Sequence, residues 1–408
     1  MQRPPRSRWQ IQTVPQLLTM AVAVRLAVDT ATQLFGPFLS IFARGLGMDM
    51  IALGRMASLR SAIGVAAPLF GTAADRMGYR PVLRLALALA GLGMWFIPLS
   101  PGRPWLLALG MLCTGAGLSG FVPTLQAYVS AQLPYANRAR GLGILEYAWA
   151  LSGILGLSAM GWLIQRHGWP APFWTLGGSL LLGAWLFGLL PPAARPGARS
   201  TRKKPLRFGY PELVRFLTFP RNGPVVYANI AVTAWLFFAQ VHILLVHGSW
   251  LEREYGLQPQ ALGLVALLQG LADLVGSGTA SLVVDRVGKR RAVMAGTAAI
   301  TLTYFALPFL NTGLVPAVIS LLLTRVAFEF IVVSNLTLLS EHVPTARGKV
   351  MSLNAAFVLL AITLTGITGP WAYTHFGVWG LGPVSGVSGL IALAILAWKV
   401  TEPRPSSP

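Results

Sequence analysis

The chain has 408 residues, 54% of them hydrophobic and only 11% charged, with a mean hydropathy of +0.63. A soluble protein carries about 25% charged residues, so this composition cannot cover a water-facing surface and excludes a soluble enzyme, a nucleic-acid binder and a disordered chain. The net charge of +20 would otherwise suggest nucleic acid, but the 32 basic residues sit mainly in the gaps between long apolar runs. The single cysteine, Cys113, lies inside such a run and leaves no disulfide framework or cysteine metal site.

In chain order, twelve apolar stretches are long enough to cross a hydrocarbon core of about 30 Å as helices. They are Val14–Phe42, Ile51–Ala74, Pro81–Leu99, Pro104–Ser130, Gly141–Gln165 and Ala171–Leu190, then Val225–His247, Leu262–Val284, Ala292–Leu310, Val315–Ser340, Val350–Tyr373 and Val378–Trp398. Backbone groups in lipid must be satisfied within each span, and these lengths fit helices and not strands. The chain reads as an all-α polytopic membrane protein. No small-residue cleavage site follows a short apolar core, so no signal peptide is expected.

Lysine and arginine in the loops set the orientation. With the N-terminus in the cytoplasm, 24 of the 32 basic residues fall in cytoplasmic segments, 5 on the opposite side and 3 within spans. Both termini are therefore expected in the cytoplasm, in a multi-pass protein of the plasma (inner) membrane. The longest gap, 191–224, is rich in proline, glycine and basic residues. It reads as a cytoplasmic linker between an N-terminal half, 1–190, and a C-terminal half, 225–408, its basic cluster resting on the anionic leaflet.

The halves repeat. Asp75-Arg76-Met77-Gly78-Tyr79-Arg80, after the second span, recurs as Asp285-Arg286-Val287-Gly288-Lys289-Arg290 after the eighth, 210 residues on. Ser130 and Pro134 recur as Ser340 and Pro344 at the same offset. Six spans return the chain to its starting side, so the repeats are parallel, an arrangement that goes with alternating access.

Gly71–Arg80 resembles the loop 2–3 signature of the major facilitator superfamily, and Ser281–Arg291 is similar to its loop 8–9 copy, with Ser281 in place of the usual glycine. The resemblance implies twelve helices in two six-helix repeats and secondary transport of a small molecule. It also implies a gating role for Gly71, Asp75, Arg76, Gly78 and Arg80 and for Asp285, Arg286, Gly288 and Arg290, with Asp75 reaching a helix N-terminus of the other half. Span eleven carries Gly366, Gly369 and Pro370; span five carries Gly153, Gly156 and Gly161, but Leu157 where the family's antiporter signature has proline. The family's usual span-four arginine is also missing, since 104–131 holds no basic residue. Twelve spans resemble a complete transport unit, so a monomer is expected.

A charge at the bilayer centre costs about 2.5–3.5 kcal/mol on insertion scales, which makes each charge inside a span a functional candidate. Arg25 and Asp29 lie about 16 and 22 Å into span one and Arg60 about 14 Å into span two, at 1.5 Å per residue. Asp273 is near the middle of span eight, Arg325 and Glu329 form an i, i+4 pair in span ten, and Glu146 is shallow in span five. Asp29 is the leading proton-carrier candidate, being deep in a helix that lines the cavity in the resembling family; Asp273 is second.

Substrate-cavity candidates are the polar or aromatic residues Gln33, Gln126, Tyr147, Trp149, Gln240, Gln269, Asn335 and Asn354. This mostly apolar set with scattered amides suits an amphiphilic organic solute better than a phosphate or a simple ion. Neither a catalytic constellation, a metal-ligand spacing nor an ATP motif appears, so no cofactor is expected and the energy would come from a gradient, with protons as the coupling ion. Efflux is the leading expectation. Uptake or facilitated diffusion of a sugar-like or organic-acid solute, or a transporter-shaped sensor, are the alternatives.

Overall fold

The computed structural model describes residues 14–190, 217–219, 222–343 and 347–402. Both basic termini, most of the linker 191–224, Pro344 and the side chain of Asp75 lie outside the described residues. The first half contains α1 (Val14–Gln33), α2 (Phe35–Gly45), α3 (Met50–Ala62), α4 (Ala67–Met77), α5 (Tyr79–Phe96), α6 (Pro104–Gln132), α7 (Tyr135–Leu151), α8 (Ser158–His167) and α9 (Ala171–Leu186). The second contains α10 (Gly223–Leu244), α11 (His247–Tyr255), α12 (Pro259–Val287), α13 (Lys289–Ala306), α14 (Leu314–His342), α15 (Arg347–Phe376) and α16 (Val378–Lys399). No strand occurs among the described residues.

The 210-residue offset holds well beyond the loop motifs. Moved by 210, α5 and α6 land on the bounds of α13 and α14, and the end of α4 lands on the end of α12. The loop glycines match as well: Gly78 has φ +93° and Gly288 φ +94°. Each N–H bonds the carbonyl four residues back, Ala74 at 2.9 Å and Val284 at 3.0 Å. A left-handed backbone at this turn is costly for any residue with a Cβ, which is why both copies keep glycine.

Nine helical passes among the described residues are long and apolar enough to cross a membrane by composition. The second, third and ninth expected passes fall below that mark. The second is divided between α3, a 3₁₀ turn at Ile63–Ala66 and α4. The third and ninth are 18 residues each and open on YRPVLR and KRR, whose cations lower the mean.

Several expected spans are not continuous helices. Span one breaks between α1 and α2, because Pro37 has no N–H to give the Gln33 carbonyl and Phe38 leaves helical geometry at φ −125°. Span seven ends as a helix at Leu244 and restarts at His247, running on to Tyr255, beyond the expected end. Span five carries a π-helical turn at Ser152–Leu157, despite Leu157 standing where a proline was expected from the resemblance. There Gly156 lies against Thr30 so closely that a Cβ would collide with its hydroxyl.

Two compact units divide the chain, Met1–Thr201 with Gln258–Leu267, and Arg202–Leu257 with Leu268–Pro408. Within the first, Phe35, Phe38, Phe42 and Phe173 form a buried aromatic stack, with Phe42 and Phe173 centroids 4.7 Å apart. Within the second, the corner where α11 meets the end of α13 is tied by Asn311. Its Oδ1 accepts from Trp250 Nε1 at 3.1 Å and Tyr255 hydroxyl at 2.6 Å, and its Nδ2 donates to Glu254 at 2.5 Å.

Arginines at the starts of α5 and α13 satisfy carbonyls at the ends of the sixth and twelfth passes. Arg84 Nε donates to Ala184 O at 3.1 Å. Arg290 donates to Val400 O at 2.6 Å and Ala397 O at 2.9 Å. A cation at a helix C-terminus also complements the helix dipole. Arg290→Ala is therefore expected to cost about 1–2 kcal/mol and lower the unfolding temperature of the detergent-purified protein, whereas Arg290→Lys recovers part of the loss.

Candidate functional site

Apart from Arg60, the candidate charges within the spans gather into one cluster per unit. In the first, Arg25 Nε donates to both Asp29 oxygens at 2.9 and 2.8 Å. Both side chains are buried, with 5% and 3% exposure. Arg25 Nη2 also reaches Glu146 at 3.5 Å, and the other Glu146 oxygen accepts from Gln126 Nε2 at 2.8 Å. The helix geometry explains the pairing, since positions i and i+4 of α1 share a face that packs on α7. Glu146, which the sequence leaves as an isolated shallow charge, is thereby the second carboxylate on Arg25, with its side chain 53% exposed.

Arg60 does not join this cluster. Its guanidinium donates to the carbonyls of Ala31 at 3.0 Å and Thr32 at 2.8 Å, and lies 5.0 Å over the Phe35 ring. These carbonyls belong to the last turn of α1, where the break at Leu34 leaves acceptors without helical partners. Arg60 thus caps the C-terminal end of a broken helix, a structural reason for a charge at that depth. At the matching break in the second unit, the Leu244 carbonyl accepts from His247 Nδ1 at 2.7 Å instead.

In the second unit, the expected i, i+4 pair of Arg325 and Glu329 is present, and a second carboxylate lies closer. The principal partner of Arg325 is Asp273 on α12, with Glu329 farther away at 3.9 Å. Arg325, Asp273 and Glu329 side chains are 3%, 5% and 15% exposed. Asp273 Oδ1 and Arg325 Nε have no hydrogen-bond partner, so the cluster retains both an acceptor and a donor in a buried setting. The two clusters share a stoichiometry, one arginine to two carboxylates, without sharing positions. Moved back by 210, Asp273, Arg325 and Glu329 would fall on Ile63, Gly115 and Ser119.

The polar candidates divide similarly. Gln33 Nε2 donates to Ser152 Oγ at 2.5 Å and to the Trp149 carbonyl at 3.4 Å, linking α1 to the π turn. Gln240 Oε1 accepts from the Tyr304 hydroxyl at 2.9 Å, a buried bond between α10 and α13. Gln269 is buried on α12, while Tyr147 is 61% exposed on α7. Asn335 Nδ2 donates to Thr233 Oγ1 at 2.9 Å, and Asn335 and Asn354 line one cavity with Thr233. Thr233 and Asn229, four residues apart on one buried face of α10, are missing from the sequence-based set; polar residues at helical spacing in an apolar run were the available signal.

In the loop signatures, Asp285 and Arg286 are exposed, and Lys289 pairs with Glu341 at the end of α14. The first copy has no such ion pair between the equivalent positions; Tyr79 instead meets the Tyr128 ring at 6.2 Å.

Comparison with known proteins agrees with this architecture. The family model described as Major Facilitator Superfamily matches residues 21–248 and 230–408. An uncharacterized MFS-type transporter of Bacillus subtilis, YceJ, is 26% identical over 87% of this chain and 89% of its own length. The class C tetracycline resistance protein of Escherichia coli is 27% identical over 81% of this chain and 80% of its own. Among solved structures, a D-xylose-proton symporter superposes with a TM-score of 0.77 at 17% identity, covering 96% of this chain and 99% of that one. Helical through its described spans and matched by that family model over most of its length, the chain belongs to the major facilitator superfamily of membrane transporters and is not an enzyme.

Proposed function

We propose that this protein is a proton-coupled exporter of small amphiphilic organic solutes, acting as a monomer in the plasma membrane with both termini in the cytoplasm. The observation that carries the reading is the excess carboxylate in each unit. Arg25 serves Asp29 and Glu146, and Arg325 serves Asp273 and Glu329. One guanidinium neutralises one carboxylate, so the second can take and release a proton as the pairing changes. Arg60, engaged by carbonyls, does not alter this balance.

Export is favoured over uptake by relatives named for it, the tetracycline resistance protein and the multidrug efflux pump PmrA of Streptococcus pneumoniae, 24% identical over 82% of this chain. The likeness to the xylose symporter is a likeness of fold. In everted membrane vesicles energised to an acid interior, accumulation of ethidium or tetracycline above the level of protein-free vesicles is the expected result. Uptake that persists unchanged after the pH gradient is collapsed would oppose proton coupling. No gradient-dependent accumulation of any amphiphile in a broad panel would oppose export.

A further inference from the structure

A cavity of about 170 Å³ lies wholly within the second unit, between α10, α14 and α15. Its wall is apolar, with Phe237 and Val358 among the lining residues, apart from Thr233, Asn335 and Asn354. From the helix ends at Gly223, His342 and Arg347 it is about 10–15 Å deep at 1.5 Å per residue. An apolar cavity of about 150 Å³ takes up a benzene ring, so this volume accepts a six-membered ring with a small substituent.

The polar wall is rich in unpaired acceptors. Asn335 and Asn354 are 3% and 6% exposed, and the side-chain carbonyl oxygen of each has no hydrogen-bond partner. The Thr233 hydroxyl is committed as a donor to the Asn229 carbonyl at 3.1 Å, and its oxygen already accepts from Asn335 Nδ2 at 2.9 Å. The cavity therefore offers two buried, unpaired acceptors on two different helices, beside the amide N–H group of Asn354. A buried acceptor left unpaired costs free energy, and an incoming O–H or N–H group removes that cost. A carboxylate would bring a charge that a single amide N–H group does not neutralise, and no lysine or arginine is among the lining residues.

We propose that this cavity is a recognition pocket for a ring-sized apolar group carrying a neutral hydrogen-bond donor, with Asn335 and Asn354 as the groups that select it. As the specificity-determining part of the transported solute's site, it rests on the transporter reading above. It narrows the amphiphilic class to molecules with a donor-bearing ring and discriminates against aryl carboxylates.

The test uses three probes of nearly the same shape, benzamide, methyl benzoate and benzoate, of which only benzamide carries N–H donors. Their binding is titrated by saturation-transfer NMR against the full-length protein in lipid nanodiscs, with empty nanodiscs as the blank for partitioning. Saturable benzamide binding above the blank is expected, with methyl benzoate and benzoate at least about tenfold weaker, the loss of one hydrogen bond to a buried acceptor. Asn335→Leu and Asn354→Leu should each weaken benzamide by a similar factor. Val358→Phe, which fills the cavity and leaves both amides in place, should abolish it. These changes sit on two helices, and each variant is accepted only if it is monodisperse and unfolds cooperatively. Equal binding of the three probes, indifference to both asparagine variants, or no saturable benzamide binding would overturn the pocket. Because binding is read without a gradient, benzamide bound normally by a protein that exports nothing would leave the pocket standing and remove the transport reading.

Discussion

Arg325→Met is expected to be the most damaging single change in the second unit, lowering stability by about 3–5 kcal/mol, because it leaves Asp273 and Glu329 buried without their cation. The penalty comes from uncompensated carboxylates, not from the lost side-chain volume, which methionine largely replaces. Adding Asp273→Asn and Glu329→Gln to the same variant should therefore recover much of the unfolding temperature while leaving transport uncoupled. If the triple variant is no more stable than Arg325→Met, the arginine acts through packing alone. Thermal unfolding of the detergent-purified variants, with retained monodispersity, reads the difference.

The second large effect is functional. Asp29→Asn keeps the shape of the side chain and removes its titratable proton, while Arg25 keeps its contact with Glu146 at 3.5 Å. The variant should lose gradient-driven accumulation by at least about tenfold in reconstituted vesicles, yet still exchange solute when the pH is equal on both sides. A purely structural Asp29 produces the opposite pattern, with poor insertion or a lower unfolding temperature but normal gradient response in the folded fraction. Measuring exchange and accumulation on one preparation separates these outcomes. Accumulation at the wild-type level would end the proton-carrier role.

The fold was legible in the sequence where its signal is one-dimensional. Apolar run length located the passes, and the repeated Asp-Arg-x-Gly loops set an offset of 210 that the helix bounds of α5, α6, α13 and α14 then follow. Helix breaks were less legible. Gly36-Pro37 inside span one was an available warning, because a proline withholds the N–H that the Gln33 carbonyl needs. Span seven has no such residue; its break is accompanied by a His247 ring turned back onto the Leu244 carbonyl, a contact that composition does not encode.

The candidate site shows the same division. Arg25 and Asp29 pair as their spacing implies, because both residues lie on one helix. Arg325 has an equally suitable i, i+4 neighbour in Glu329 but turns mainly to Asp273, 52 residues earlier on another helix. Choosing between those partners requires the relative rotation of α12 and α14, which hydrophobicity leaves undefined when both helices are apolar nearly all round. Arg60 is marked by depth in the sequence, and its contacts with the Ala31 and Thr32 carbonyls become visible only once α1 is broken at Leu34. Asn335 and Asn354 face one cavity only through the packing of α14 and α15, which the sequence of either helix alone does not encode.

Proton movement by the purified protein tests the central claim most directly. Vesicles containing the reconstituted protein and a trapped pH-sensitive dye are given an outward gradient of ethidium at equal starting pH, with valinomycin and potassium holding the voltage at zero. Coupled exchange predicts that ethidium leaving the lumen draws protons in, acidifying it in the wild type but not in Asp29→Asn or protein-free vesicles. Ethidium exit at the wild-type rate with no change in lumenal pH would contradict the account.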